Sequence, residues 1–440
     1  MTAFKEDFLH LVWKYQYFDT RNCLSEENAE IQIVKIGFQN HHEGPDFKEA
    51  HIRIGQVDYH GHVEIHLKSS DWKAHDHQQD PSYNSVILHV VWEHDMPIQR
   101  KDGTSIPTLA LRGKVFLDVV RNYERLLASS RKILCSGQLE SIPEILKFSM
   151  LEKSLIERLE EKSQRVLDML AENNQDWEET TYQWLFWNFG FKTNQHAMVK
   201  LSKTVPYKIL KKHMNQPSAQ EAILFGQAGF LGSYSEGLFP MGNADGYVDT
   251  LVREYRFFQK KYGLKPEIYP SEWRFMGVRP ANYPTIRLAQ LAAIVAHGPS
   301  LFSAVTQGTS SLADFHQFLD RPVSRYWHRH YHFGKASETI SKRKITPSIL
   351  ALLGMNFMVP LWFAYGRFLD NFDWQERCFA FLQEIPAESN SIIGNFERIQ
   401  WKPLQAFDSQ GMMGLFNHYC KEKRCLDCKI GQALLRPQKK

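Results

Sequence analysis

A chain of 440 residues exceeds what one hydrophobic core ordinarily supports, so two or three domains are expected. A content of 43% hydrophobic, 13% aromatic and 23% charged residues belongs to a folded protein and excludes extended disorder. The formal charge of +4 is too small to make the whole surface a glove for nucleic acid, which leaves only local basic segments for that role.

The N-terminal stretch MTAFKEDFLHLVWKYQ carries Glu6 and Asp7 and has no uninterrupted apolar run. It reads as an amphipathic helix and not as a signal peptide, and a cytoplasmic protein is expected. The cysteines, Cys23, Cys135, Cys378, Cys420, Cys425 and Cys428, are too sparse for a disulfide scaffold and fit a reducing compartment. From about residue 31 to 120 the period is two: Ile52 and Ile54 alternate with His51 and Arg53, and Val63, Ile65 and Leu67 with Glu64, His66 and Lys68. NSVILHVVWEHD is a further strand, and Gly55, Gly61 and the KDGT turn punctuate the series.

After CSGQLESIP the period becomes helical, with Leu151, Leu155 and Leu159 on one face. WEETTYQWLFWNFGF, VDTLVREYRFFQKKYG, TIRLAQLAAIVAHG and QERCFAFLQEI all read as helices, the third entered through Pro280 and Pro284. The expected organisation is therefore α+β: a β-rich domain over 1–138 and a large all-helical lobe over 139–440. The Gly-rich stretch FGQAGFLGSYSEGLFPMGNADGY looks like a connection inside that lobe. SILALLGMNFMVPLWFAYG tempts as a membrane span but is interrupted by Gly354, Asn356 and Pro360, so a buried helix kinked near the proline is expected and no membrane partner.

Histidine is unevenly spent, with ten of the nineteen between His41 and His94. Neutral imidazole ligates metals and changes charge nearest neutral pH, so this excess points to metal or acid/base chemistry. The plainer reading is a wet sheet face, which accepts histidine readily. Period two puts Glu64, His66 and Lys68 on one face, presenting acid, imidazole and ammonium together.

GPDF, which supplies Pro45 and Asp46, followed eighteen residues later by Glu64-x-His66, resembles the PD-(D/E)xK nuclease superfamily. The resemblance covers about residues 1 to 100. It implies a restriction-endonuclease-like mixed sheet, Asp46 and Glu64 as ligands of magnesium or manganese, the Ile65 carbonyl as an added ligand, and hydrolysis of DNA or RNA phosphodiesters through metal-bound water. Where the superfamily has lysine this chain has His66, which carries no fixed charge at neutral pH. Lys68 or Lys73 would then take the lysine's part, or His66 serves as base or ligand, or the fold has lost activity. His75, His77 and His89 are further ligand candidates that would shift the preference toward manganese or zinc. By GPDF, VEIHLKSSDW, YNSVILHVVWE and KRCLDC, the whole chain also resembles an uncharacterised bacterial family of unknown function, which supplies no activity.

NHYCKEKRCLDCKIG sets Cys420, Cys425 and Cys428 within nine residues, two after His418. Cys-x2-Cys is a pincer for tetrahedral zinc, with His418 or Cys378 as the fourth ligand. The spacing is also loosely similar to the iron-sulfur loop of helix-hairpin-helix DNA glycosylases, which makes an iron-sulfur cluster the second choice. Residues 321–344 hold seven Lys or Arg against one Glu, interleaved with Tyr326, Trp327, Tyr331 and Phe333. Arg325, Arg329, Lys342, Arg343 and Lys344 are thus candidate nucleic-acid contacts, unless the aromatics pack inward and need no partner. Arg274, Arg279 and Arg287 are capable of phosphate or carboxylate binding, but an internal ion-pair role is expected. No GxxxxGK[ST], GxGxxG, HExxH or GxSxG motif occurs, which removes P-loop and serine-esterase chemistry. The expected function is a metal-dependent nuclease. The alternatives are a non-catalytic nucleic-acid-binding or scaffold protein and a metal-dependent hydrolase of small molecules.

Overall fold

The computed structural model describes residues 5–235, 246–297, 300–334 and 336–437. They form two compact units, one of residues 1–152 with 414–440 and one of residues 153–413.

The first unit opens with helix α1 (Glu6–Lys14), acidic in its first turn and burying Phe8, Leu9, Leu11, Val12 and Trp13. Its sheet contains β1 (Ile31–Lys35), β2 (Phe38–Gln39), β3 (Phe47–Ile54), β4 (Val57–Lys68), β5 (Val86–Glu93) and β6 (Thr108–Ala110), in the order β1-β3-β4-β5-β6 with β2 added beside β3. β1, β3 and β4 are antiparallel, whereas β5 runs parallel to β4 and β6 parallel to β5. The parallel step needs a crossover, supplied by residues 69–85 with the one-turn helix α2 (Asp71–Ala74).

The alternation read from β4 is real but is not a division into wet and dry faces. Val63 and Ile65 join the core of Phe8, Val12, Phe47, Leu88 and Val90. Glu64 and His66 are 4% and 1% exposed, so the opposite face is covered as well. Part of that cover is Trp72 of α2, packed with Val86, Ile98 and Ile106. A sheet with parallel neighbours is normally buried on both sides, which period two in one strand does not disclose.

Between Phe47 and Ala50 the β3–β4 register slips, and Glu49 takes φ +57°, which bulges the strand directly after Asp46. Gly61 lies opposite: a Cβ there would fall 2.4 Å from Ser85 O and 2.5 Å from Ile87 Cγ2. Gly61→Val is therefore expected to force β4 and β5 apart and destabilise the chain by about 1–3 kcal/mol or more. A lowered denaturation midpoint measures this, and an unchanged midpoint refutes it.

Helix α3 (Leu117–Leu127) and the start of helix α4 (Glu144–Glu172) follow. The C-terminal helix Lys429–Leu435 returns to this unit, with Leu435 in the same core and Gln432 Oε1 accepting from Tyr15 Oη at 3.1 Å. The sequence placed these residues in the helical lobe. Their apolar positions identify a helix but not the core it joins.

The second unit is helical. All thirteen residues of Pro284–Ala296 are buried, as an all-round apolar helix requires. Pro347–Leu369 is the one described stretch long and apolar enough to cross a membrane, and 72% of its apolar window is buried inside the protein. It is broken by a π-turn at Gly354–Met358, which ends two residues before Pro360. Proline denies its i−4 carbonyl a partner, and the π-turn is the accommodation. The connection read at FGQAGFLGSYSEGLFPMGNADGY is helical at Pro217–Gln227 and Phe230–Ser235, and its centre, 236–245, lies outside the described residues.

The basic segment divides between core and surface. Trp327 and Phe333 are buried in the helical core. Arg343, a candidate nucleic-acid contact, is 6% exposed; it donates to Trp327 O at 2.7 Å and His330 O at 3.3 Å and stands 3.8 Å over the Tyr331 ring. Arg325, Arg329, Lys342 and Lys344 are exposed, Lys344 facing Asp320 at 3.6 Å. Arg287 is also buried, but it donates to the amide oxygens of Gln290 and Asn282 and not to a carboxylate, which corrects the expected ion pair. Arg274 and Arg279 are exposed.

Candidate metal centre

Three imidazoles converge in the first unit. His66 comes from β4, and His75 and His77 from the turn that ends α2, where Asp76 adopts φ +58°. His66 Nε2 lies 3.2 Å from His75 Nδ1 and 3.3 Å from His77 Nε2. The three ligand atoms all fall within 4.8 Å of one another. Metal–nitrogen bonds of 2.0–2.1 Å at tetrahedral angles place ligand nitrogens roughly 3.3 Å apart, so the observed spacing fits one transition-metal ion. His66 is buried, His77 half-buried and His75 exposed, which leaves the group open to solvent on one side.

His89 is not part of that face. Directly opposite Glu64 in the parallel register, its Nε2 lies 2.8 Å from His66 Nδ1. When His66 Nδ1–H donates there, the His66 Nε2 lone pair is left for a metal, the usual task of an outer partner. His89 Nδ1 then stays buried without a hydrogen-bond partner among the described residues. Burial and the neighbouring His77 and His75 depress His66 to about 3, and burial and His66 hold His89 far below its ordinary value. Both rings are neutral at physiological pH, the form that ligates.

Glu64 flanks this face, Oε1 lying 3.4 Å from His77 Nε2 and 3.6 Å from His66 Nε2. Its other oxygen accepts from the Asp46 amide at 3.1 Å, and Asp46 Oδ2 accepts from the Ile65 amide at 2.9 Å. This reciprocal lock ties the residue before the β3 bulge to the middle of β4. Ile65 enters this lock through its N–H. Burial first, and the Asp46 carboxylate second, raise Glu64 well above the usual carboxylate range. A cation beside it would reverse that.

A second group adjoins the first. Glu6 and His10, one turn apart on α1, lie with Asp46 so that their ligand atoms fall within 4.8 Å. His10 Nε2 is 3.2 Å from Asp46 Oδ2 and 3.8 Å from Glu6 Oε1. Burial raises Glu6 to about 7; His10 is pulled down by burial but raised on balance by Asp46. Tyr83 stacks on His77 at 3.8 Å, and Trp72 meets His77 and His89 edge-on.

Asp46, Glu64, His66, His75 and His77 are therefore brought together, with His89 behind them. The side chains of Lys68 and Lys73 are exposed. The Lys68 contact is its own amide, donated to Asp71 Oδ2 at 2.9 Å. Glu6 and His10 were not foreseen. Their i, i+4 spacing places both on one helix face, but nothing in the sequence says that this face meets Asp46.

Elsewhere, in the second unit, a cavity of about 490 Å³ is walled by Trp184, Trp187 and Phe191 and edged by Lys162, Arg165 and Lys192. Lys162 Nζ donates to Asn356 Oδ1 at 2.9 Å and Gln410 Oε1 at 3.1 Å, and burial, with Arg158 nearby, lowers it from 10.5 to about 7. Between pH 7 and 10.5 the unfolded chain holds a proton that native Lys162 has released, so this residue makes stability rise with pH there. Its cost is full below pH 7 and gone above 10.5. Lys162→Met is expected to remove a slope of at most about 1.4 kcal/mol per pH unit. Denaturant midpoints from pH 6 to 10, about the limit of base stability, measure it.

Fold and site together define an α+β protein with a histidine- and carboxylate-lined centre on a mixed sheet. The chain belongs to the family described as protein of unknown function (DUF2851), whose model matches residues 6–391. No curated protein and no solved structure matches it.

Proposed function

We propose that the first unit is a metal-dependent phosphodiesterase acting on nucleic acid, with zinc or manganese held by His66, His75 and His77. The observation that carries this reading is the Asp46–Glu64 lock beside a three-imidazole face: two carboxylates positioned by backbone amides, next to nitrogens at the spacing of one ion. Three imidazoles favour these ions over magnesium. The element order, a helix, an antiparallel β1-β3-β4 group, a crossover and a parallel β5, also supports the kinship with PD-(D/E)xK nucleases.

A cation bound there would lower the pKa of water and neutralise charge on the phosphate. Glu64, beside His66 and His77, takes the proton from the attacking water. Asp46 holds Glu64 through its amide and fixes His10 through its carboxylate. The Tyr83 ring, packed on His77, limits that imidazole's rotation. His66 and His89 stay neutral and hold the geometry.

A second reading, hydrolysis of a small substrate, is favoured by the depth of the site, where Glu64, His66 and His89 are all under 5% exposed. The test is cleavage of labelled single- and double-stranded DNA and RNA, beside a small chromogenic phosphodiester, with zinc, manganese or magnesium. Asp46→Ala and Glu64→Ala, checked by circular dichroism, serve as controls. Polymer cutting lost in both variants supports the proposal. Turnover of the small ester alone supports the second reading, and no turnover of either overturns both.

A further inference from the structure

The cysteine group lies apart from the histidine centre, and its completion is a matter of folding. Cys420 ends a π-turn at Phe416–Cys420, and Cys428 stands directly before the helix Lys429–Leu435. Between them the chain doubles back: Lys423 takes φ +55°, the Lys423 amide donates to Cys420 O at 3.2 Å, and the Cys428 amide donates to Cys425 O at 3.3 Å. The turn lies so close to the helix that a Cβ on Gly431 would come within 2.0 Å of Cys425 O. The Lys429 amide meets Met150 Sδ at 3.4 Å, and Lys429 Nζ meets Ser149 Oγ at 2.5 Å, anchoring the return.

The fourth thiol comes from far away in sequence. Cys135 lies on the 3-10 segment Leu134–Ser141, which packs against the helix Lys429–Leu435 that directly follows Cys428. Cys378, the fourth ligand suggested by the sequence, instead sits in the core of the second unit with Sγ on Val359 O at 3.5 Å. None of the six cysteines is in a disulfide.

We propose that Cys135, Cys420, Cys425 and Cys428 ligate an iron-sulfur cluster of the four-iron type, which clips the C-terminal return to the segment preceding α4. Spacing selects the cluster over zinc. Four thiolates on one zinc at 2.3 Å stand roughly 3.8 Å apart. Thiolates on the corners of a cubic cluster stand roughly 6 Å apart. Among the described residues no three of these sulfurs fall within 4.8 Å of one another, which fits the larger object.

The test uses the full chain purified without oxygen. About four irons and four acid-labile sulfides per chain are expected, with the broad visible absorption of thiolate-ligated iron. Cys135→Ser, Cys420→Ser and Cys425→Ser should each lose most of the iron and make the C-terminal segment sensitive to protease. Cys378→Ala should keep both iron and sulfide. Where a variant does not fold, chelation of the wild-type chain followed by limited proteolysis gives the same readout. One zinc per chain without sulfide overturns the cluster. Full iron and sulfide in folded Cys135→Ser overturns the fourth ligand.

Discussion

On the proposed function, His66→Ala is expected to abolish metal binding in the first unit and to lower phosphodiester cleavage by about 10³-fold, roughly 4 kcal/mol of lost transition-state stabilisation. His66 is the common neighbour: its Nε2 is the atom that both His75 and His77 approach, and its Nδ1 is held by His89. His89→Ala removes only the support, and a 10- to 100-fold loss of metal affinity is the corresponding expectation. Lys68→Ala, on an exposed side chain, should change neither quantity. Metal titration followed by dialysis and metal analysis separates the three. Equal loss in the His66 and Lys68 variants, with folding intact, would falsify the three-imidazole assignment.

Trp362→Ala should be the most damaging single change in the helical unit, destabilising it by about 3–5 kcal/mol. The indole is fully buried within the 347–369 stretch, and its Nε1–H donates to Val305 O at 2.7 Å. Its ring also carries the Arg377 guanidinium at 4.1 Å and meets Phe381 edge-on at 5.2 Å. Alanine leaves a cavity, an unpaired carbonyl and a cation without its aromatic platform. Urea denaturation should show the shift. Trp362→Phe should recover part of it, because the ring is restored while the hydrogen bond is not. A loss below 1 kcal/mol would return this segment to the candidates for a membrane span.

The local chemistry of both sites was legible in the sequence. Period two identified the alternation of Val63, Ile65 and Leu67 with Glu64, His66 and Lys68, because side-chain direction along a strand is set by the backbone alone. The excess of histidine before His94 and the spacing of Cys420, Cys425 and Cys428 are facts of composition and order. Helices such as Trp177–Phe189 and Asp373–Glu384 follow from apolar period for the same reason.

What only the tertiary structure decided was which of these pieces meet. Lys68 shares a face with His66, yet it lies at the exposed end of its strand, while His75 and His77 reach His66 only because the α2 turn folds back over β4. Glu6 and His10 join Asp46 by helix packing, and Arg343 was drawn inside to cap the Trp327 and His330 carbonyls. Cys135 lies far from the Cys420–Cys428 turn in the chain, and its segment meets the helix after that turn only through the return of the helix to the first core. Contacts between distant segments depend on which apolar faces bury one another, a choice that local spacing does not encode.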